Sequence, residues 1–152
     1  MEGLGTLLRK LVDALDGGVQ QHYDAAGISF RPRFYPVANA LLGKEALTIR
    51  QLASSSGLTH SALSQTVKEM KAAGLVESRA GEDARERVVR LTTAGTEACA
   101  TLRPIWKAVH SAAAELDSEI SAPIREVVEQ ALKRLAEQDF ASRIDDALGD
   151  DR

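Results

Sequence analysis

Apolar residues recur three and four positions apart at the start of the chain, at Leu4, Leu7, Leu8, Leu11, Val12, Leu15 and Val19, and this spacing predicts an amphipathic helix. Gly17 and Gly18 weaken its middle, and His22 falls on the same stripe if the helix runs through them. Residues 25–33, with Gly27 and Pro32, read as a connector. Pro36 suits the first turn of a second helix carrying Val37, Ala40, Leu41 and Leu42, which Gly43 ends. In "TIRQLASSSG", Thr48 is the N-cap of a third helix and Gln51 stands three residues on. That is a capping box, in which each residue satisfies the other's free backbone donor. Ile49, Leu52 and Ala53 form its apolar side, Gly57 supplies a left-handed turn, and Thr59 caps the next helix.

That next helix lies within "SSSGLTHSALSQTVKEMKAAGLV". At about 100° per residue, Ala62, Leu63, Val67, Met70, Ala73 and Gly74 share one arc, while His60, Ser61, Ser64, Gln65, Lys68 and Lys71 gather opposite. A short capped helix, a glycine turn and a second helix with hydroxyls in its first turns form a helix-turn-helix layout. Short hydroxyl side chains let backbone approach phosphate. The Gln65 amide can both donate to and accept from base edges, and Lys68 and Lys71 suit phosphates.

Leu75 to Arg79 and Arg87 to Thr92 read as short strands around the AGEDA turn, which completes a winged helix. The hairpin tip can reach a minor groove, where concentrated negative potential favours an arginine. Arg85 is the candidate, with Asp83 placed to brace its guanidinium. Thr92 or Thr93 then caps a long helix striped by Ala98, Leu102, Ile105, Trp106, Val109, Ala113 and Leu116, which Pro104 is expected to bend. After Ser121 and Pro123, helical spacing resumes at Ile124, Val127, Val128, Ala131, Leu132 and Leu135, and again on a shifted stripe at Phe140, Ile144 and Leu148. This is more apolar stripe than a small winged core can cover, and a second copy would bury it.

Composition sharpens this picture in a few places. At 152 residues and 44% hydrophobic the chain supports one respectable core. The net charge of −3 hides a gradient: residues 48–95 hold seven bases against five acids, whereas residues 96–152 hold seven against twelve. One relatively basic surface with an acidic remainder fits contact with phosphate. The lone Cys99 allows no internal disulfide and no cysteine-cluster metal site, and reads as a buried small hydrophobe. His22, His60 and His110 are too dispersed for a helical zinc pair. No framed serine nucleophile or phosphate-cradling glycine loop occurs, so neither an enzyme nor a metal or cofactor is expected. No apolar run is long enough to span a membrane and no leader pattern is present, so a soluble cytoplasmic protein is expected.

The stretch "LTIRQLASSSGLTHSALSQTVKEMKAAGLV", the Asp83-Ala84-Arg85 sequence and "VRLTTAG" together resemble the multiple antibiotic resistance regulator (MarR) family of winged helix-turn-helix transcription factors. The resemblance implies a mainly α fold with a small β-hairpin. Residues 1–152 would form one domain, with a winged lobe at 33–95 and helical dimerisation regions at 1–26 and 96–152. It implies a homodimer that binds double-stranded DNA through Thr59, His60, Ser61, Ser64, Gln65 and Lys68 in the helix and Arg85 and Arg87 in the wing, with Asp83 in support. It also implies a small aromatic or anionic effector, for which His22, Tyr35 and Trp106 are candidate lining. The expected function is a sequence-specific repressor at a palindromic operator, released by that ligand. The alternative is a winged-helix protein-interaction module whose wing, carrying Glu82 and Glu86, does not engage DNA.

Overall fold

The computed structural model describes residues 2–81 and 86–150. Contacts divide the chain into two compact units, residues 1–107 and 108–152. In the first unit, α1 (Leu4–Ala25) is one continuous helix through Gly17 and Gly18, ending at Ala26 before Gly27 turns left-handed at φ 69°. The expected connector is more than a link. Pro32–Phe34 forms a 3-10 turn that leads into α2 (Tyr35–Leu41), and it carries Phe34 into the core beside Phe30. A three-residue turn is too short to give a periodic signal, which is why the pattern reads as loop.

The strand Leu47–Thr48 (β1) precedes α3 (Ile49–Ser56), and α4 spans His60–Ala72. The hairpin strands are β2 (Val76–Ala80) and β3 (Arg87–Leu91), so each lies within one residue of its expected bounds. The sheet is antiparallel in the order β1-β3-β2, with Leu47 opposite Val89 and Ser78 opposite Val89 on the other side. β1 has no counterpart in the sequence reading, because two residues cannot show an alternation. Thr48 serves twice, as the end of β1 and as the N-cap of α3. Its hydroxyl accepts from Gln51 N–H at 3.1 Å while the Gln51 side chain accepts from Thr48 N–H at 2.8 Å.

The core of this unit joins α1, the 3-10 turn, α2, α3, α4, the sheet and the first half of α5 (Thr93–Glu119). Phe30 meets Tyr23 and Phe34 edge to face, and Tyr35 meets Trp106 with ring centroids 5.1 Å apart. Trp106 Nε1 donates to the Tyr23 hydroxyl at 2.8 Å, satisfying a buried donor between helices 83 residues apart. Burial of Tyr23 is also what raises its phenol above the ordinary value. Cys99 is buried and its thiol is likewise pushed up by burial, as expected of an inert core side chain.

Thr92 is the cap of α5. Its hydroxyl accepts from Gly95 N–H at 2.9 Å and donates to Gly74 O at 2.6 Å, while Thr92 N–H bonds Leu75 O at 3.0 Å. The start of α5 is thereby laid directly on the chain leaving α4. Gly95 makes the approach possible, since a Cβ there would sit 1.9 Å from Leu75 O. Pro104 lies inside α5.

In the second unit, α6 (Ile124–Glu137) begins after Pro123. The first free N–H, that of Ile124, is taken by Asp117 Oδ1 at 2.9 Å rather than by Ser121. The shifted stripe turns out to be a break: Gln138 is extended, and Asp139 caps α7 (Phe140–Asp150) by accepting from Ser142 N–H at 2.8 Å. That backbone hydrogen bond holds the Asp139 carboxyl below the usual carboxylate range. α6 buries no residue. Val127, Val128, Leu132 (62% exposed), Leu135, Phe140 (66%), Ile144 and Leu148 are open, and in the first unit so are Leu4, Leu7, Leu8, Val12 and Leu15. Among the described residues no helix is long and apolar enough to cross a membrane, and no cluster of three metal-ligating side chains occurs.

Gly95→Ala should destabilise the fold by about 1–3 kcal/mol in urea denaturation, because the added methyl would meet the Leu75 backbone. Gly18→Ala, whose Cβ points into open space within α1, should be neutral or stabilising by up to ~1 kcal/mol. Equal stabilities for the two variants would contradict this account of the α4–α5 junction.

Candidate nucleic-acid interface

The geometry of α4 is set at its start and along one side. Gly57 takes the left-handed conformation at φ 68°, and the Thr59 hydroxyl accepts from Ala62 N–H at 3.2 Å. Leu63, Thr66, Val67 and Met70 then point into the core. Thr66, only 5% exposed, replaces Ala62, Ala73 and Gly74 on that side, all three of which are exposed. The core under the helix is therefore narrower than the expected arc. Leu63 and Val67 take its centre, and a small hydroxyl residue fits beside them.

The opposite side is open. Thr59, His60, Ser61, Ser64, Gln65, Lys68 and Lys71 are all exposed, so the structure groups every expected helix residue on one solvent-facing surface. The exposed N-terminal turn adds unpaired backbone donors to that surface, and such donors favour anions. Arg87, the first residue of β3, is also exposed. Asp83 and Arg85, expected at the wing tip, lie outside the described residues; the last described rung below the tip is Gly81 N–H to Glu86 O at 2.8 Å.

The positive charges of the winged segment differ in availability. Arg79 pairs with Glu45 at 3.1 Å and Arg90 pairs with Glu77, so these two are neutralised locally. Lys68, Lys71, Arg50 and Arg87 form no ion pair with any described residue. Sequence reasoning missed a further group here. The Glu69 carboxylate receives Gln65 Nε2 on Oε1 at 2.8 Å and the Arg33 guanidinium on Oε2. The hydrogen bond from Gln65, then the nearby charge of Arg33, holds the Glu69 carboxyl below the usual carboxylate range. Helical i, i+4 spacing could have flagged the Gln65–Glu69 pair. Arg33, 36 residues earlier, carries no local signal.

A cavity of about 480 Å³ adjoins this network, lined by Ser29, Arg31, Arg33, Phe34, Glu69, Ala72 and Ala73. The three residues expected at an effector pocket are placed elsewhere. Tyr35 and Trp106 stack edge to face in the aromatic core, and His22 is exposed on α1 with Nδ1 2.9 Å from Gly18 O.

Residues 32–86 match the model of the MarR family. No curated protein matches the chain. Among solved structures, the M. tuberculosis transcriptional regulator MOSR in complex with DNA is similar at TM-score 0.68 and 23% identity, covering 90% of this chain and 97% of that one. The PcaV transcriptional regulator from Streptomyces coelicolor, in complex with its natural ligand, is similar at TM-score 0.64 and 22% identity, over 89% and 92%. A mutant MarR from E. coli complexed with operator DNA is similar at TM-score 0.63 and 20% identity, over 87% and 92%. The family match covers the winged segment, and over nearly the whole chain the fold is that of these winged helix-turn-helix structures.

Proposed function

We propose that the chain is a dimeric, sequence-specific DNA-binding transcriptional regulator, a repressor at a palindromic operator that a small-molecule effector releases. The observation that carries this reading is the division of α4. Leu63, Thr66, Val67 and Met70 are buried, while His60, Ser61, Ser64, Gln65 and Lys68 are exposed together on a capped, rigid helix. A helix about 10–12 Å across with such a face fits the major groove. Thr59, Ser61 and Ser64 would meet phosphates near the helix N-terminus, Gln65 the base edges, and Lys68 and Arg87 flanking phosphates. Arg85, supported by Asp83, would enter the adjacent minor groove. MOSR and the E. coli MarR variant are proteins whose structures contain DNA, and PcaV one whose structure contains its ligand, which supports a DNA-binding, ligand-responsive reading here.

Dimerisation follows from the apolar side chains left open on α1, α6 and α7, since exposed surface of this kind marks association. A two-fold dimer would present two copies of α4 to half-sites about 34 Å apart. Residues 1–26 and 96–152 are the regions we assign to this contact, and 33–95 the DNA-binding lobe. His22, Tyr35 and Trp106 are the side chains we assign to an effector, which would have to displace the packed Tyr35–Trp106 pair to reach them, and a ligand preferring one dimer geometry would change operator affinity by shifting the spacing of the two helices.

If ~6 phosphates are neutralised, duplex affinity should fall roughly a thousandfold between about 50 and 200 mM salt in fluorescence anisotropy. A salt-insensitive complex, or none, would favour the protein-interaction alternative. Arg85→Ala should weaken duplex binding in the same assay, and unchanged affinity would remove the wing from the interface. Sedimentation should give a dimer at micromolar concentration; a monomer that still binds a symmetric site would contradict the assignment of α1, α6 and α7 to the dimer contact.

A further inference from the structure

We propose that Glu69 is a positioning residue for base selection: it takes one of the two N–H groups of the Gln65 amide and so fixes which way round the carbonyl oxygen and the remaining N–H are offered to a base. This rests on the reading of α4 as the DNA-contacting helix. The two side chains lie one turn apart, with Gln65 Nε2 donating to Glu69 Oε1 at 2.8 Å. An ionised carboxylate can only accept, so the amide has a single orientation that satisfies the contact. The carboxylate is itself tethered, because its other oxygen takes the Arg33 guanidinium. Arg33 stands on the Pro32–Phe34 turn, whose proline fixes the backbone and whose Phe34 is buried in the aromatic core. The chain of restraint therefore runs from the core through Arg33 and Glu69 to the exposed amide of Gln65.

The consequence is chemical. Gln65 Oε1 accepts no hydrogen bond from any described residue and Glu69 takes only one of the two Nε2 N–H groups, so the exposed end of the side chain is an acceptor and one donor in a fixed order. In the major groove, adenine presents a donor at N6 beside an acceptor at N7, which that pair matches, whereas cytosine N4 is a donor alone and guanine O6 and N7 and thymine O4 are acceptors alone. An unrestrained glutamine can turn its amide over and serve either kind of edge. Held by Glu69, it should favour adenine at the step it reads. Glu69 also places a negative charge next to the groove, so removing that charge should raise general duplex affinity even as selectivity falls.

Selection from a pool of randomised duplexes, run with the full chain, tests this. The unaltered protein should enrich adenine over the other three bases by about tenfold at one symmetric position. Glu69→Gln is close in shape but can donate or accept, so it should bring that preference to within about twofold while leaving other positions unchanged. In a Gln65→Ala background, the same change at Glu69 should leave the base preference as it was. A Glu69→Gln protein with its preference intact, or with only a uniform gain in affinity, would overturn the proposal and leave the DNA-binding reading standing. Loss of preference that persists without Gln65 would overturn it equally. No enrichment by the unaltered protein would sink the DNA-binding reading itself, and this proposal with it.

Discussion

The structure depends on one side of a 13-residue helix being held in the core. Leu63, Val67 and Met70 on α4 are buried against residues from α2, α3 and the sheet, with Thr66 at the edge. Fully burying an apolar side chain of this size stabilises by about 1.5–3 kcal/mol, so rotating the helix to bury its polar side would forfeit several such contributions and strand hydroxyls and amides without partners. The exposure of Ser61, Ser64, Gln65 and Lys68 is thus a consequence of packing. Local devices reinforce the setting at each end. Thr59 and Gly57 fix where the helix begins, and Thr92 and Gly95 clamp the chain that leaves it.

The same constraint explains why a chain of net charge −3 can present a surface suited to DNA. What counts is which charges remain available beside the exposed helix. Arg79 and Arg90 are engaged by Glu45 and Glu77 in and beside the wing strands, whereas Lys68, Lys71 and Arg87 are not paired with any described residue. On the proposed reading, electrostatics selects the surface, and short hydroxyls and an amide would give it the capacity to discriminate. A winged helix-turn-helix fold supplies the frame, and on the proposed reading the residues on α4 would supply the chemistry.

Much of this was legible because the signals are local. The capping box at Thr48 and Gln51, the cap at Thr59, the turn at Gly57 and the apolar spacing of Leu63, Val67 and Met70 all act within a few residues, and each stands where its pattern predicts. The hairpin strands were visible for the same reason. What escaped depends on contacts distant in sequence or on pieces too short for a period. β1 is two residues long, the Pro32–Phe34 turn has three, and Arg33 meets Glu69 across 36 positions. Thr66 was missed because its neighbours, not its own hydropathy, decide its burial. The first free N–H of α6 is met by Asp117 near the end of α5, seven residues before it, which no local pattern announces.

The central claim is that the exposed side of α4 lies in a major groove, twice over in a two-fold dimer. Sequencing the duplexes that the full chain retains from genomic fragments tests it most directly. The account predicts a shared inverted repeat whose half-site centres lie about one helical turn, or a whole number of turns, apart. Retention of no common sequence, or of a single asymmetric element without a repeat, would contradict it.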